Sequence, residues 1–219
     1  MSTINTNVSS LNAQRNLMTS RESLSVSLQR LSSGLRVNSS KDDAAGLAIA
    51  DRMNAQIRGI NVAIRNANDG ISLAQTAEGA LATMSDVFQR MRELAIQAQN
   101  GSNGTTDRAN LNTEYAQLSA EVTRIAAQTK FNGTAIVGAG AGAQSFQIGP
   151  NNGDTLTVTT ATVATVAGDL TTAANASTAV AALDTALDTI STSRATYGAA
   201  MSRFQFAISN LQITGENQQ

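Results

Sequence analysis

Few side chains in this sequence have the types and spacing that covalent chemistry needs. Gly138-Ala139-Gly140-Ala141-Gly142-Ala143 fits a G-x-G-x-x-A pattern after a short β-prone run, the arrangement in which a glycine-rich turn cradles a pyrophosphate. That use requires a helix to open within the string, with an acidic residue about 20 positions on. Gln144-Ser145-Phe146 leads into another β-prone run instead, so the string reads as a hairpin loop. Asp42-Asp43 and the i,i+4 pair Asp184/Asp188 could hold a metal or share a proton. The first pair falls where a helix begins and complements its macrodipole. The second lies on an exposed helix face, and no further ligands converge on either. Both read as capping and solvation. The chain has no His and no Cys, which removes Ser-His and Cys-His relays, H-E-x-x-H zinc sites, disulfides and thiolate centres. Six N-x-S/T strings, at Asn7, Asn38, Asn100, Asn103, Asn132 and Asn175, are expected by chance in a chain so rich in Asn and Thr. No catalytic, metal-binding or cofactor-binding residues emerge, and an enzyme is the least favoured class.

The remaining segment of interest is Gln89-Arg90-Met91-Arg92-Glu93-Leu94-Ala95-Ile96-Gln97, where charged groups interleave with apolar ones at helical spacing. By itself it reads as a helix with one buried and one wet face. The elements that must carry it follow from apolar periodicity. Met53, Ile57, Ile60, Ile64, Ala67, Ile71 and Ala74 alternate steps of four and three. After one extra three-residue step the seam resumes as Ala77, Leu81, Met84, Phe88, Met91, Ala95 and Ala98. A heptad seam implies partner helices along it, and the extra short step is a stammer. About 45 residues at 1.5 Å each make a rod on the order of 70 Å long, stopped by Asn100-Gly101-Ser102-Asn103-Gly104. A second seam runs Leu111, Tyr115, Leu118, Val122, Ile125. A third runs from Ala176 to Leu211 through Leu183, Ile190, Tyr197 and Phe204, with Arg194 as its one charged position.

Composition agrees. There are 37 Ala and no Trp, with seven Phe and Tyr in all, which suits narrow helix–helix seams better than a thick interior. The predicted fold is mainly α: an elongated antiparallel bundle of long heptad helices with a small β-hairpin region at about 131–163. There Phe131-Asn132-Gly133, Ala135-Ile136-Val137, Phe146-Gln147-Ile148 and Thr155-Leu156-Thr157-Val158 are β-prone runs separated by turn residues. Thr159 to Thr178 reads as a low-complexity linker or a poorly patterned helix start. The N-terminal segment carries apolar stripes, Ile4, Val8 and Leu11, then Leu24, Leu28, Leu31 and Leu35, with no partner evident in the chain. Such a helix is disordered alone or buried on another molecule. The domain reading is 1–43 as an N-terminal assembly segment and 44–219 as the helical rod.

A net charge of −1 gives no electrostatic footprint for nucleic acid or an anionic membrane. No apolar run approaches the ~20 residues that span a bilayer, and the first 30 residues show no cleavable signal. Export, if it occurs, is expected by another route.

Several strings resemble bacterial flagellin: Thr3 to Leu11, Leu31-Ser32-Ser33-Gly34-Leu35-Arg36-Val37-Asn38, Lys41 to Ile49, Asn66-Ala67-Asn68-Asp69-Gly70-Ile71-Ser72, Arg90 to Gln97 and Phe131-Asn132-Gly133. The resemblance runs from residue 1 to about 158 and resumes from Tyr197-Gly198-Ala199 to Leu211. It implies a structural subunit of the extracellular flagellar filament, self-assembling through its terminal helices for swimming motility. It further implies passage through the flagellar type III export apparatus with an export chaperone. Hairpin sequence passes almost directly into the last helix, which implies a compact flagellin without outer variable domains. The family continues beyond Leu211 into a C-terminal helix that partners the N-terminal one, so a truncated chain is expected. That loss would leave the Leu24–Leu35 stripe unpaired and puts polymerisation and chaperone binding by this chain in question. The resemblance also implies a ligand of the innate immune receptor Toll-like receptor 5, with Gln89, Arg90, Glu93, Leu94, Gln97 and Glu114 at the positions that meet the receptor or another subunit. Burial between subunits would account for Leu94 among charged groups. The alternatives are the hook–filament junction protein, or an adhesin or immune ligand acting as a monomer.

Overall fold

The computed structural model describes residues 7–163 and 165–219; Ile4 of the predicted stripe lies outside them. The chain divides into two compact units, residues 1–56 and 57–219, which are taken separately.

In the first unit, helix α1 spans Val8–Ser33. Asn7 caps it by accepting a hydrogen bond from Ser10 N at 3.1 Å, and Gly34 ends it in a left-handed conformation at φ 69°. No residue of α1 is buried. Its length therefore rests on local propensity and capping, without packing of its apolar stripe. A turn of hydrogen bonds onto Asp42 Oδ2, from Ser39 Oγ, Ser39 N and Asn38 N, precedes helix α2, Ala44–Gln99. Asp43 Oδ1 accepts from Gly46 N at 2.8 Å, as a helix start requires. The Ser39 hydroxyl first, and then the Asn38 amide, hold the Asp42 carboxyl below its ordinary pKa. Both carboxylates of the pair are thus occupied in shaping a helix entry.

The second unit holds the core. From Ile60 onward α2 buries the predicted seam, including Ala67, Ala74, Ala77, Leu81, Met84, Phe88, Met91, Ala95 and Ala98. Met53, where the seam was expected to begin, is exposed. Helix α3 spans Thr105–Gln128 and helix α4 spans Ala173–Asn217. Their buried seam residues include Tyr115, Val122, Leu183, Ile190, Tyr197, Phe204 and Leu211. Contacts between α2 and α4 fix an antiparallel register: Ile60 beside Gly215, Gly70 beneath the Phe204 ring, Glu78 toward Arg194 and Arg92 on Asp184. Each step forward on α2 is matched by an equal step back on α4. At Gly70 the approach is so close that a Cβ would lie 2.5 Å from Phe204 Cζ. Phe204 also meets Phe146 edge to face at 5.6 Å.

Two antiparallel hairpins follow α3. Strands β1 (Lys130–Phe131) and β2 (Thr134–Ala135) pair through a tight turn with Asn132 at φ 47° and Gly133 at φ 79°. Both turn residues have positive φ, as a twisted two-residue hairpin demands. Strands β3 (Gln144–Gln147) and β4 (Thr155–Val158) form the second pair. Its turn lies on α2, where Pro150 Cβ sits 3.0 Å from a Cβ built on Gly59 and Asn66 Nδ2 donates to Gln147 O.

The stretch after β4 corrects one expectation. Residues 173–178 do begin helix α4, as one of the two readings has it, but residues 159–163 and 165–172 are no open linker. They form a packed strap with Thr160, Ala161, Val163, Val166 and Leu170 buried. Without a ladder partner, the strap's backbone is satisfied from several directions. Gly138 N donates to Ala161 O, Ser119 Oγ to Val166 O, and Leu170 N to Asn112 Oδ1. The buried Tyr197 hydroxyl accepts from Ala161 N at 3.0 Å and donates to Ile136 O at 3.1 Å, so one side chain of α4 ties hairpin and strap together. The Tyr115 hydroxyl is also buried but has no partner, and Gly168 passes directly over it.

Tyr197→Phe strands two buried backbone groups and is expected to cost about 1–3 kcal/mol in denaturant unfolding, while Tyr115→Phe is neutral or stabilising. Burial raises both phenolic pKa values. Their contribution to stability is therefore full below the ordinary tyrosine range and falls as pH rises through the raised values, which alkaline unfolding of the parent and Tyr115→Phe proteins measures.

Candidate functional site

The distinctive surface of the second unit is the wet face of α2 near its C-terminal end, beside α3. Arg90 sits at its centre. Its Nε and Nη2 both donate to Glu114 Oε1, at 3.0 and 2.8 Å, and its Nη1 donates to Glu93 Oε2 at 3.0 Å. Glu114 first, and then Glu93, hold the guanidinium in its charged form and raise its pKa. The planar fork bridges two helices and fixes the spacing of two carboxylates, a geometry that lysine does not reproduce. Gln89, Glu93, Gln97 and Glu114 are exposed with Arg90, so five of the six predicted contact residues form one accessible polar surface.

Leu94 does not join them. It is 1% exposed and part of the core. Its place among charged neighbours comes from the helical period, which turns it inward beside Met91 and Ala95 within the same chain. The expectation that a second molecule must cover Leu94 is therefore corrected. The apolar side chain exposed here is Ile96, at 48%. It falls seven residues after Gln89 and three after Glu93, on their side of the helix. The seven- and three-residue spacing is the sequence signal for that placement.

Arg92, a neighbour of the patch, pairs instead with Asp184 at 2.6 Å, which raises the Arg92 pKa. Asp184 is thus an α2–α4 strut and not half of a metal site. At the end of α2, Arg108 Nε donates to Ala98 O at 2.8 Å and Nη2 donates to Asn100 O at 3.2 Å. A cation on the last carbonyls of a helix complements its dipole. The Gly138–Ala143 string forms a connecting loop, with Gly138 at φ 87° and no helix beginning there. Among the described residues no cluster of three or more acidic side chains is arranged to hold a metal. No helix there is long and apolar enough to cross a membrane.

A second surface belongs to the first unit. Val8, Leu11, Leu24, Leu28, Leu31 and Leu35 are all exposed, Leu31 at 81%. Leu17 and Met18, absent from the predicted stripe, are exposed as well. Leu17, Leu24 and Leu31 recur every seven residues, the spacing of a helix–helix seam.

Comparison with known proteins gives these surfaces a context. Residues 4–139 match the model of the bacterial flagellin N-terminal helical region. The chain is 54% identical over 156 residues to B-type flagellin of Pseudomonas aeruginosa, covering 71% of this chain and 32% of that protein. It also superposes on the crystal structure of Bacillus cereus flagellin with a TM-score of 0.62 and 34% identity, over 67% of this chain and 88% of that one. A flagellar hook-associated protein from Vibrio parahaemolyticus shares the fold, with a TM-score of 0.50 at 16% identity over 82% of this chain and 93% of that one. The chain spans 32–41% of the length of the curated relatives it matches.

Two arginines separate surface display from structural support. Arg108→Ala is expected to lower stability by about 1 kcal/mol through loss of the helix-end bonds. Arg90→Ala is expected to leave the melting temperature unchanged within error, since its pairs are solvent-exposed. Thermal unfolding followed by circular dichroism measures both.

Proposed function

Because the chain belongs to the bacterial flagellin family, we propose that it serves as a structural subunit of a flagellar filament, contributing to swimming motility and catalysing no reaction. The observation that carries this reading is α1: a helix with recurrent leucines and no buried residue. An apolar seam left in water is unfavourable by about 25 cal/mol per Å² of its surface, and burial against other copies of the subunit relieves that cost. In this reading Val8, Leu11, Leu24, Leu28, Leu31 and Leu35 form the assembly stripe, with Ile4 on the same segment, and residues 1–43 act as the assembly segment of a rod formed by 44–219. Delivery to the outside of the cell, through the flagellar type III export apparatus with its chaperone, belongs to the same proposal.

The surface of Gln89, Arg90, Glu93, Gln97 and Glu114 is proposed as the contact for Toll-like receptor 5 in the free subunit and for a neighbouring subunit in the filament. The support is the Arg90 fork, which presents two carboxylates and one cation in fixed geometry on an accessible helix face.

Two experiments test these assignments. With the chain produced in flagellated cells, Leu28→Asp with Leu31→Asp is expected to remove its peptides from sheared filaments while the parent chain's peptides remain. Mutant peptides at parental abundance would refute the stripe. Arg90→Asp is expected to weaken both filament incorporation and receptor signalling with helicity intact, and full signalling from the folded variant monomer eliminates the receptor assignment.

A further inference from the structure

The sequence contains four Asn–Gly pairs: Asn100-Gly101, Asn103-Gly104, Asn132-Gly133 and Asn152-Gly153. In such a pair the side-chain amide carbon is open to attack by the next backbone nitrogen, because glycine has no Cβ to shield it. The four are not equivalent in the fold.

Asn103 is tied at both ends of the reaction. Its Nδ2 donates to Gln97 O at 2.7 Å, and the nitrogen that would attack, Gly104 N, donates to Asp107 Oδ2 at 3.0 Å. Asn132 is held at φ 47° in a tight turn closed by the paired strands β1 and β2. Asn152 lies in the β3–β4 turn, beside the bond from Asn151 N to Asp154 Oδ2. Asn100 differs from all three in its side-chain bond, although Asn152 is equally exposed and Gly153 likewise has nothing within 4 Å of a built Cβ. Asn100 follows the last residue of α2 and is exposed. Its Oδ1 accepts from Ser102 N at 3.3 Å, a bond that folds the side chain back over the intervening Gly101 nitrogen. Gly101 N–H donates to no group among the described residues, and no atom lies within 4 Å of where a Gly101 Cβ would stand. The Ser102 N–H also points at the oxygen on which negative charge develops when the amide carbon is attacked.

We propose that Asn100 is a site of spontaneous self-modification, in which its amide is lost to the neighbouring backbone. Gly101 N gives up its proton to solvent base and attacks Asn100 Cγ. The new C–N bond closes a five-membered succinimide as the Cγ–Nδ2 bond breaks, and the amide leaves as ammonia with a proton from water. One water molecule then opens the ring at either carbonyl, leaving aspartate or isoaspartate. The balance is one water consumed and one ammonia released, with no redox change.

The product has structural consequences at the α2–α3 turn. A carboxylate there faces the negative end of the α2 dipole, with Arg108 as the nearby cation on Asn100 O. Isoaspartate in addition routes the main chain through the former side chain and lengthens it by one carbon. The two bonds that Asn100 O accepts, from Asn103 N at 3.2 Å and from Arg108 Nη2, cannot both survive that change. This inference does not depend on the proposed function.

The test is incubation of the folded chain at neutral and mildly alkaline pH, followed by proteolysis and mass spectrometry with fragmentation that separates Asn100 from Asn103 and aspartate from isoaspartate. Conversion is expected first at Asn100, faster with rising pH, with Asn103 intact until the protein unfolds. Gly101→Ala is expected to slow conversion roughly tenfold or more. That variant keeps the fold, since Gly101 has no positive φ and open space around it. Conversion of Asn132 or Asn152 ahead of Asn100, of Asn103 at the same rate as Asn100, or of the Gly101→Ala chain at the parental rate overturns the proposal.

Discussion

The α2–α4 seam is the constraint on which the rest of residues 57–219 depends. Alanines alternate with large apolar side chains along it. The alanine positions specify register weakly, because one alanine fits where another does. Here the register is set by a few large groups placed against gaps: the Phe204 ring over Gly70, Ile60 beside Gly215, and Tyr197 reaching past the seam to Ile136 and Ala161. The salt bridges Arg92–Asp184 and Arg194–Glu78 repeat the same register on the exposed edge. They agree with it without fixing it, since exposed pairs contribute little free energy.

The polar patch on α2 inherits its rigidity from this packing. The side chains of Gln89, Arg90 and Glu93 stand on a helix whose opposite side is buried at Phe88, Met91, Leu94 and Ala95. The Arg90 fork then links that helix to Glu114 on α3. A surface carried in this way presents its charges with little conformational entropy left to lose on binding. The α1 stripe has the opposite character, being apolar and unsupported by any buried contact.

Helical periodicity made the three long seams legible in the sequence, and turn chemistry marked the hairpins through Asn132-Gly133 and the residues around Pro150. The contact residues were legible as a string but not as a face: Leu94 and Ile96 lie two positions apart and point to different sides. The strap was hidden because its order comes from partners far away in sequence. Asn112, Ser119 and Tyr197 complete its hydrogen bonds, and no local pattern of Thr and Ala announces them. The α1 stripe, by contrast, was legible as one without a partner in the chain, and none of its leucines is buried.

The antiparallel register also orders events in time. Ile60 packs with Leu211, about 150 positions later in the chain, and Tyr197 closes bonds to groups 36 and 61 residues earlier. Contacts so distant in sequence form late, after the entropy of closing a long loop has been met. A chain emerging from the ribosome thus carries the α4-facing side of the α2 seam uncovered until α4 follows it out. During that interval the longest apolar stripe of the protein is open to a holding factor, to a second nascent chain or to a protease.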